Sequence, residues 1–146
     1  MPEKFHLALA HRANVPAPSS SIDVAFTRCR LDLLRPAEVL DLLAEVYRAL
    51  APSGTFLCMA MNRLLSPDQS GRTTYTIAQL HAMLRKVGFR RVTQYVRWRD
   101  TYAALPSSAL RLFEAIIGAL TPDRREQTCR SNIVRAALDI RFAARK

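Results

Sequence analysis

Four residues in a row, Thr27-Arg28-Cys29-Arg30, follow a short apolar, β-branched run, and Asn62-Arg63 follow a second one. Two guanidiniums this close can grip a carboxylate or a phosphate through paired N–H donors. Ordinary loop arginines are the plainer alternative for Arg28 and Arg30 and carry more weight. Cys29 has no histidine near it in sequence to make it a nucleophile, so a small polarizable packing or loop residue is the stronger reading. His11 and His81 carry the side chain that titrates near neutral pH and can act as a base. His81 falls inside a helical pattern and reads first as a surface or boundary residue. Tyr75, just before a helix cap, could reach a substrate, although packing is the weightier role. No paired carboxylates, catalytic triad or metal-ligand cluster stands out in the chain.

These groups sit on 146 residues, the size of one domain with a single core. Hydrophobic residues make up 49% and charged residues 23%, an ordinary globular balance. No apolar run approaches a membrane span. The start, Met1 to Leu7, lacks the basic region and apolar core of a signal peptide. Cys29, Cys58 and Cys129 are odd in number, and no CxxC occurs, so neither a disulfide framework nor a zinc site is indicated. A reducing cytoplasm is the expected location.

The formal net charge is +10. That suits an anionic partner such as RNA, an acidic protein or a phosphorylated substrate; it also suits a solvated surface rich in arginine. The densest cluster is Arg85, Lys86, Arg90, Arg91, Arg97 and Arg99, with only Tyr95 and Trp98 interleaved. Cations at a helix C-terminus are expected from the dipole alone. Nucleic-acid binding is therefore the lesser reading.

The elements that must position these residues follow from periodicity. Phe5 to Ala10 could form a short strand. Pro16, Pro18 and a serine run make Asn14 to Ser21 a loop. Ile22 to Thr27 reads as a strand buried on both faces. Pro36 to Leu50 reads as a helix, with proline in its first turn and Val39, Leu43, Val46 and Leu50 on one stripe. Ala51-Pro52-Ser53-Gly54 turns the chain, and Thr55 to Met61 reads as a second fully buried strand. Strand, helix and strand with short links make a right-handed parallel unit. Leu64 to Thr74 is a polar loop. Thr76 and Gln79 form a capping box for a helix that ends at Gly88. Arg91 to Trp98 alternates, so one of its faces is wet. Pro106 to Leu120 is an amphipathic helix whose extra Leu112 and Ile116 widen its stripe enough to touch a partner. Thr121-Pro122 starts a short charged helix. Val134, Ala136, Leu138, Ile140 and Phe142 alternate with polar residues, which predicts an antiparallel terminal strand.

This order resembles the C-terminal half of a class I S-adenosylmethionine-dependent methyltransferase, of the broad small-molecule branch often called type 11. Three stretches carry the resemblance. Asn14-Val15-Pro16 through Ile22-Asp23-Val24-Ala25-Phe26 is similar to the family's approach to its fourth strand. Glu45-Val46-Tyr47-Arg48-Ala49-Leu50-Ala51-Pro52-Ser53-Gly54 is similar to its E-x-x-R-x-L-K-P-G-G turn. Thr76-Ile77-Ala78-Gln79-Leu80 through Leu84-Arg85-Lys86-Val87-Gly88-Phe89 is similar to its T-x-x-E-L … L-x-x-A-G-F helix. The resemblance implies an α/β, partial Rossmann-like fold: a mostly parallel sheet of the family's strands 4-5-7-6 with an antiparallel C-terminal strand, in one truncated domain spanning residues 1–146.

It further implies that Thr27, Arg28, Arg30, Asn62 and Tyr75 line a substrate pocket at the carboxyl end of the sheet. It places His11, with Asn14, beside the cofactor, and makes His11 the candidate catalytic group. The departures are as informative. The four glycines, Gly54, Gly71, Gly88 and Gly118, all fall downstream of where the family keeps its glycine-rich cofactor loop. S-adenosylmethionine is thus expected only where a partner chain completes the site. The strand from Ile22 to Thr27 becomes an apolar edge, which invites pairing in a homo- or hetero-oligomer. Three functions follow: a methyltransferase-like subunit acting on a small molecule in an assembly, a cofactor-free cyclase or isomerase on the same scaffold, and a basic RNA-binding module. A decayed reading frame is the bland alternative.

Overall fold

A computed structural model of the protein describes residues 14–28, 31–66 and 72–146. The strand expected from Phe5 to Ala10, and His11, Cys29 and Arg30, lie outside the described residues. In chain order come β1 (Ile22–Arg28), a 3-10 turn (Leu31–Leu33), α1 (Pro36–Ala49), β2 (Leu50–Ala60), α2 (Ile77–Val87), β3 (Arg91–Trp98), β4 (Thr101–Leu105), α3 (Ser107–Gly118), α4 (Pro122–Cys129), α5 (Asn132–Leu138) and β5 (Ile140–Arg145).

Local chemistry explains the helices. α1 opens on Pro36, where a missing N–H costs nothing, and the Glu38 carboxylate accepts the Arg35 backbone N–H at 2.8 Å. Val39, Leu42, Leu43, Val46 and Ala49 form its buried stripe. α2 carries the expected capping box. Gln79 N donates to Thr76 Oγ1 at 3.1 Å, and Thr76 N donates to Gln79 Oε1 at 3.0 Å. It ends at Gly88, whose φ of 122° is glycine territory, with the Tyr47 ring 3.1 Å from where a Cβ would stand. Arg85 then donates to the Phe89 and Arg90 carbonyls, so one member of the basic cluster serves the end of its own helix.

The sheet order is β1-β2-β5-β3-β4. Its first four strands reproduce the expected 4-5-7-6 order. β1 and β2 are parallel, while β5 is antiparallel to both β2 and β3. β1, β2 and β3 therefore run the same way. The expectation of a mostly parallel sheet needs correction. β5 returns between β2 and β3, so one neighbouring pair is parallel and the rest are antiparallel. β4 was not expected at all. It folds back from β3 through Arg99 and Asp100, with Arg99 at φ 54°, and all its residues are exposed.

Two further expectations change. The residues from Val134 to Leu138 are helical, and the terminal strand starts at Ile140. Ala136 and Ala137 favour helix, and over so few residues an apolar pattern does not separate the two states. The turn at Ala51–Gly54 is an extended bulge instead. Ile22 faces Leu50 and Val24 faces Thr55, which leaves Asp23 opposite four residues, Ala51 to Gly54. A Cβ on Gly54 would lie 2.9 Å from the Ile22 carbonyl oxygen, so glycine is what lets the strands close up here.

The core lies on one face of the sheet. α1, α2 and Leu110 of α3 pack there on Phe56, Cys58, Phe142 and Ala144. Phe56 stacks on Phe89 and meets Phe142 edge-on, both with ring centres 6.1 Å apart. Among the described residues, nothing packs on the opposite face over β1 and the outward residues of β2. Val24 is 59% exposed and Phe26 62%, and Leu57, facing Phe26, is exposed beside them. Neither strand is buried on both faces as expected. β2 alternates, with Phe56, Cys58 and Ala60 inward and Leu57 outward.

Candidate functional site

The carboxyl ends of β1 and β2 lie side by side, with Thr27 opposite Cys58 and Arg28 opposite Met59. Strand ends of this kind are where α/β folds place their chemistry. Thr27 is half-buried and Arg28 is exposed. Asn14 is also exposed.

Past β1 the chain makes its 3-10 turn, which buries Asp32 completely. Met61 N, just beyond β2, donates to both carboxyl oxygens of Asp32 at 3.3 and 3.4 Å. The Asp32 carbonyl accepts Thr73 N at 2.8 Å and so ties down the segment leading to α2. Burial pushes the Asp32 carboxyl above the usual carboxylate range, against the smaller opposing pulls of Met61 N–H and the Arg72 charge.

Asn62 is buried and bridges to Tyr75. Its Nδ2 donates to Glu114 Oε1 at 2.6 Å, and its Oδ1 accepts Leu64 N at 2.9 Å. Glu114, buried on α3, also accepts Ile77 N at 2.7 Å and Ala78 N at 3.1 Å. Those are the first N–H groups of α2, which no helical carbonyl can satisfy. A carboxyl group there also meets the positive end of the helix dipole. Tyr75 is buried and its hydroxyl donates to the Leu34 carbonyl at 2.7 Å. Burial, then the Asp32 charge, push its hydroxyl pKa up. Arg63 donates twice to the Thr74 carbonyl.

The structure thus brings Thr27, Arg28, Asn62 and Tyr75 to one end of the sheet. Asn62 spends its amide on Glu114 of α3 and on Leu64 N, and Tyr75 spends its hydroxyl on the Leu34 carbonyl. His81 stands apart on α2, half-buried, its pKa lowered by burial and then by Arg111 and Arg85. Sequence reasoning missed Asp32 and Glu114. Each had a signal: Asp32 is an acid between Leu31 and Leu33, and Glu114 an acid inside the stripe of Leu110, Phe113 and Ile117.

Beside Asn62 the end of β2, the end of β3, α5 and the start of β5 enclose a cleft of about 540 Å³. Among the described residues no group of three His, Cys, Asp or Glu side chains could hold a metal ion. Gly54 is pressed against β1 backbone, Gly88 closes α2, and Gly118 ends α3. These three described glycines thus serve the strand pairing and the helix ends. No helix among the described residues is long and apolar enough to cross a membrane.

The fold is that of S-adenosylmethionine-dependent methyltransferases. One such enzyme from Thermotoga maritima, described as a possible histamine N-methyltransferase, aligns with a TM-score of 0.60 at 12% identity, over 94% of this chain and 62% of its own. A chain from the complex between the Haloferax volcanii Trm112 methyltransferase activator and a putative methyltransferase gives 0.59 at 18%, over 93% and 59%. Haemonchus contortus phosphoethanolamine N-methyltransferase 2, in complex with S-adenosyl-L-methionine, gives 0.52 at 16%, over 93% and 36%. The chain therefore spans less than two thirds of each of these neighbours. No protein-family model matches the sequence, and no curated protein matches it.

Proposed function

We propose that the chain is a methyltransferase-like subunit that presents a small-molecule acceptor and holds S-adenosylmethionine only in an assembly. The observation that carries this is the contrast at β1. Its carboxyl end leads into a built polar site, while β1 stands at the edge of the described sheet and exposes Val24 and Phe26. Exposed apolar surface on an edge strand favours pairing with another chain. A partner seated along Ile22 to Thr27 would bring its own backbone next to Thr27 and Arg28, where the described glycines supply none. The activator complex of the Haloferax neighbour offers a precedent for partnership in this fold. Arg28 would then face the joint between the chains. The work is expected to be cytoplasmic small-molecule metabolism.

Light scattering and titration calorimetry test this on the purified chain. The expected result is an oligomer, or a monomer that fails to bind S-adenosylmethionine. The variant Phe26→Lys should lower the solution mass by charging the edge. A monomer that binds the cofactor at micromolar concentration would sink the proposal.

A further inference from the structure

The cleft beside Asn62 carries an unbalanced charge. Arg97 from β3, Arg135 from α5 and Arg141 from β5 line it, against the single acid Asp139. Its volume of about 540 Å³ is in the range of small-molecule sites. Arg97 and Arg135 are exposed at its rim. Arg141 is different, because its side chain is only 17% exposed.

One nitrogen of Arg141, Nη2, donates to Asp139 Oδ2. Nε and Nη1 are buried and have no hydrogen-bond partner. The guanidinium carbon lies 5.7 Å from the centre of the Tyr102 ring, a contact that helps to orient the group. A buried charged donor without an acceptor is costly and calls for an explanation. Asp139 neutralises one of three positive charges, so an apolar or cationic occupant would leave the imbalance in place. An oxyanion removes it, and the guanidiniums that line the cleft can grip it through charge-assisted hydrogen bonds.

We propose that this cleft binds an oxyanion, the carboxylate or phosphate of a small molecule, held by the charge of Arg141 in its wall and of Arg97 and Arg135 at its rim. The binding stands on the cleft alone. That the anion belongs to the methyl acceptor rests on the reading given above.

The test uses the full chain without S-adenosylmethionine. Its thermal midpoint is followed against inorganic phosphate and against succinate, with sodium chloride at matched ionic strength as the control. A saturable rise with either anion and none with chloride is expected. Response to phosphate alone assigns a phosphate ester, and response to succinate assigns a carboxylate. Arg141→Gln should remove the response, and the rim pair Arg97→Gln with Arg135→Gln should weaken it by about tenfold, as losing charge-assisted hydrogen bonds implies. The rim pair is exposed, so it decides the matter if Arg141→Gln fails to fold. No saturable response in the parent chain, or an unchanged response in the rim pair, overturns the proposal. Cofactor binding by the lone chain would sink the subunit reading and leave this result untouched.

Discussion

Two buried polar groups lie on either side of Asn62 and are treated in opposite ways. The Glu114 carboxyl accepts three hydrogen bonds, from Asn62 Nδ2 and from the Ile77 and Ala78 backbone. The Arg141 guanidinium is nearly as hidden, yet two of its nitrogens meet nothing. A buried charge whose partners all come from the chain itself is architecture, since it joins α3 to the start of α2 and to the end of β2. A buried charge with donors to spare is an open valence. The first region should therefore be sensitive to mutation for stability, and the second for binding.

The largest effect should come from Glu114→Ala. It strands three donors at once, and we expect a loss of about 3 kcal/mol in chemical denaturation, the scale for hydrogen bonds to a charged group. A loss below about 1 kcal/mol would break the comparison, because water would then be serving α2 as well as Glu114 does. Arg141→Met tests the other side. It removes a guanidinium that the protein satisfies only at Nη2 and keeps the aliphatic bulk. Stability should move by less than about 1 kcal/mol, as when a poorly compensated buried charge is replaced by an apolar group. A large loss would show that Arg141 is held for packing or for its Asp139 contact.

How much of this was legible in the sequence depends on what set each feature. α1 and α2 were readable because proline, capping residues and a 3.6-residue apolar stripe act locally. The strand order could be inferred once the turn and helix-end motifs suggested a family. The sidedness of β1 and β2 could not be read. Val24, Phe26 and Leu57 look like core residues, and only the three-dimensional arrangement shows that they are exposed. β4 escaped for a related reason: it has no buried residue, so burial leaves no period in its sequence. In the site, Thr27 and Asn62 were legible as strand-end residues. The cleft was not, because Arg97, Arg135 and Arg141 come from three elements far apart in the chain.

A smaller effect, read as a pH dependence, belongs to Asp32. Its carboxyl pKa is raised in the folded chain. The folded state therefore holds the proton more tightly than the unfolded one. The resulting stabilisation is complete below the unfolded pKa and is lost as pH rises through the folded value. Asp32→Asn keeps an oxygen for Met61 N–H and removes the ionisation. Its stability relative to the parent should improve as pH rises across that window, measured by urea midpoints at several pH values. A difference that stays flat would mean that the group ionises in the folded chain as it does in the unfolded one.

His81 should give the smallest effect, with the opposite sign. Burial, Arg111 on α3 and Arg85 on α2 lower its pKa below the ordinary 6.5. Between 6.5 and the lowered value the unfolded chain binds a proton that the folded chain does not. Stability contributed by the neutral ring is thus present above that range and falls as the solution is acidified through it. His81→Gln removes this one titration. Comparing urea midpoints at about pH 7.5 and about pH 5.5, the interval in which histidine changes charge, the parent should lose more than the variant. The basic surface sharpens the test, since added salt screens Arg85 and Arg111 and should narrow the gap between the two proteins. A gap that ignores salt would assign the shift to burial alone, and no gap at all would place His81 in water.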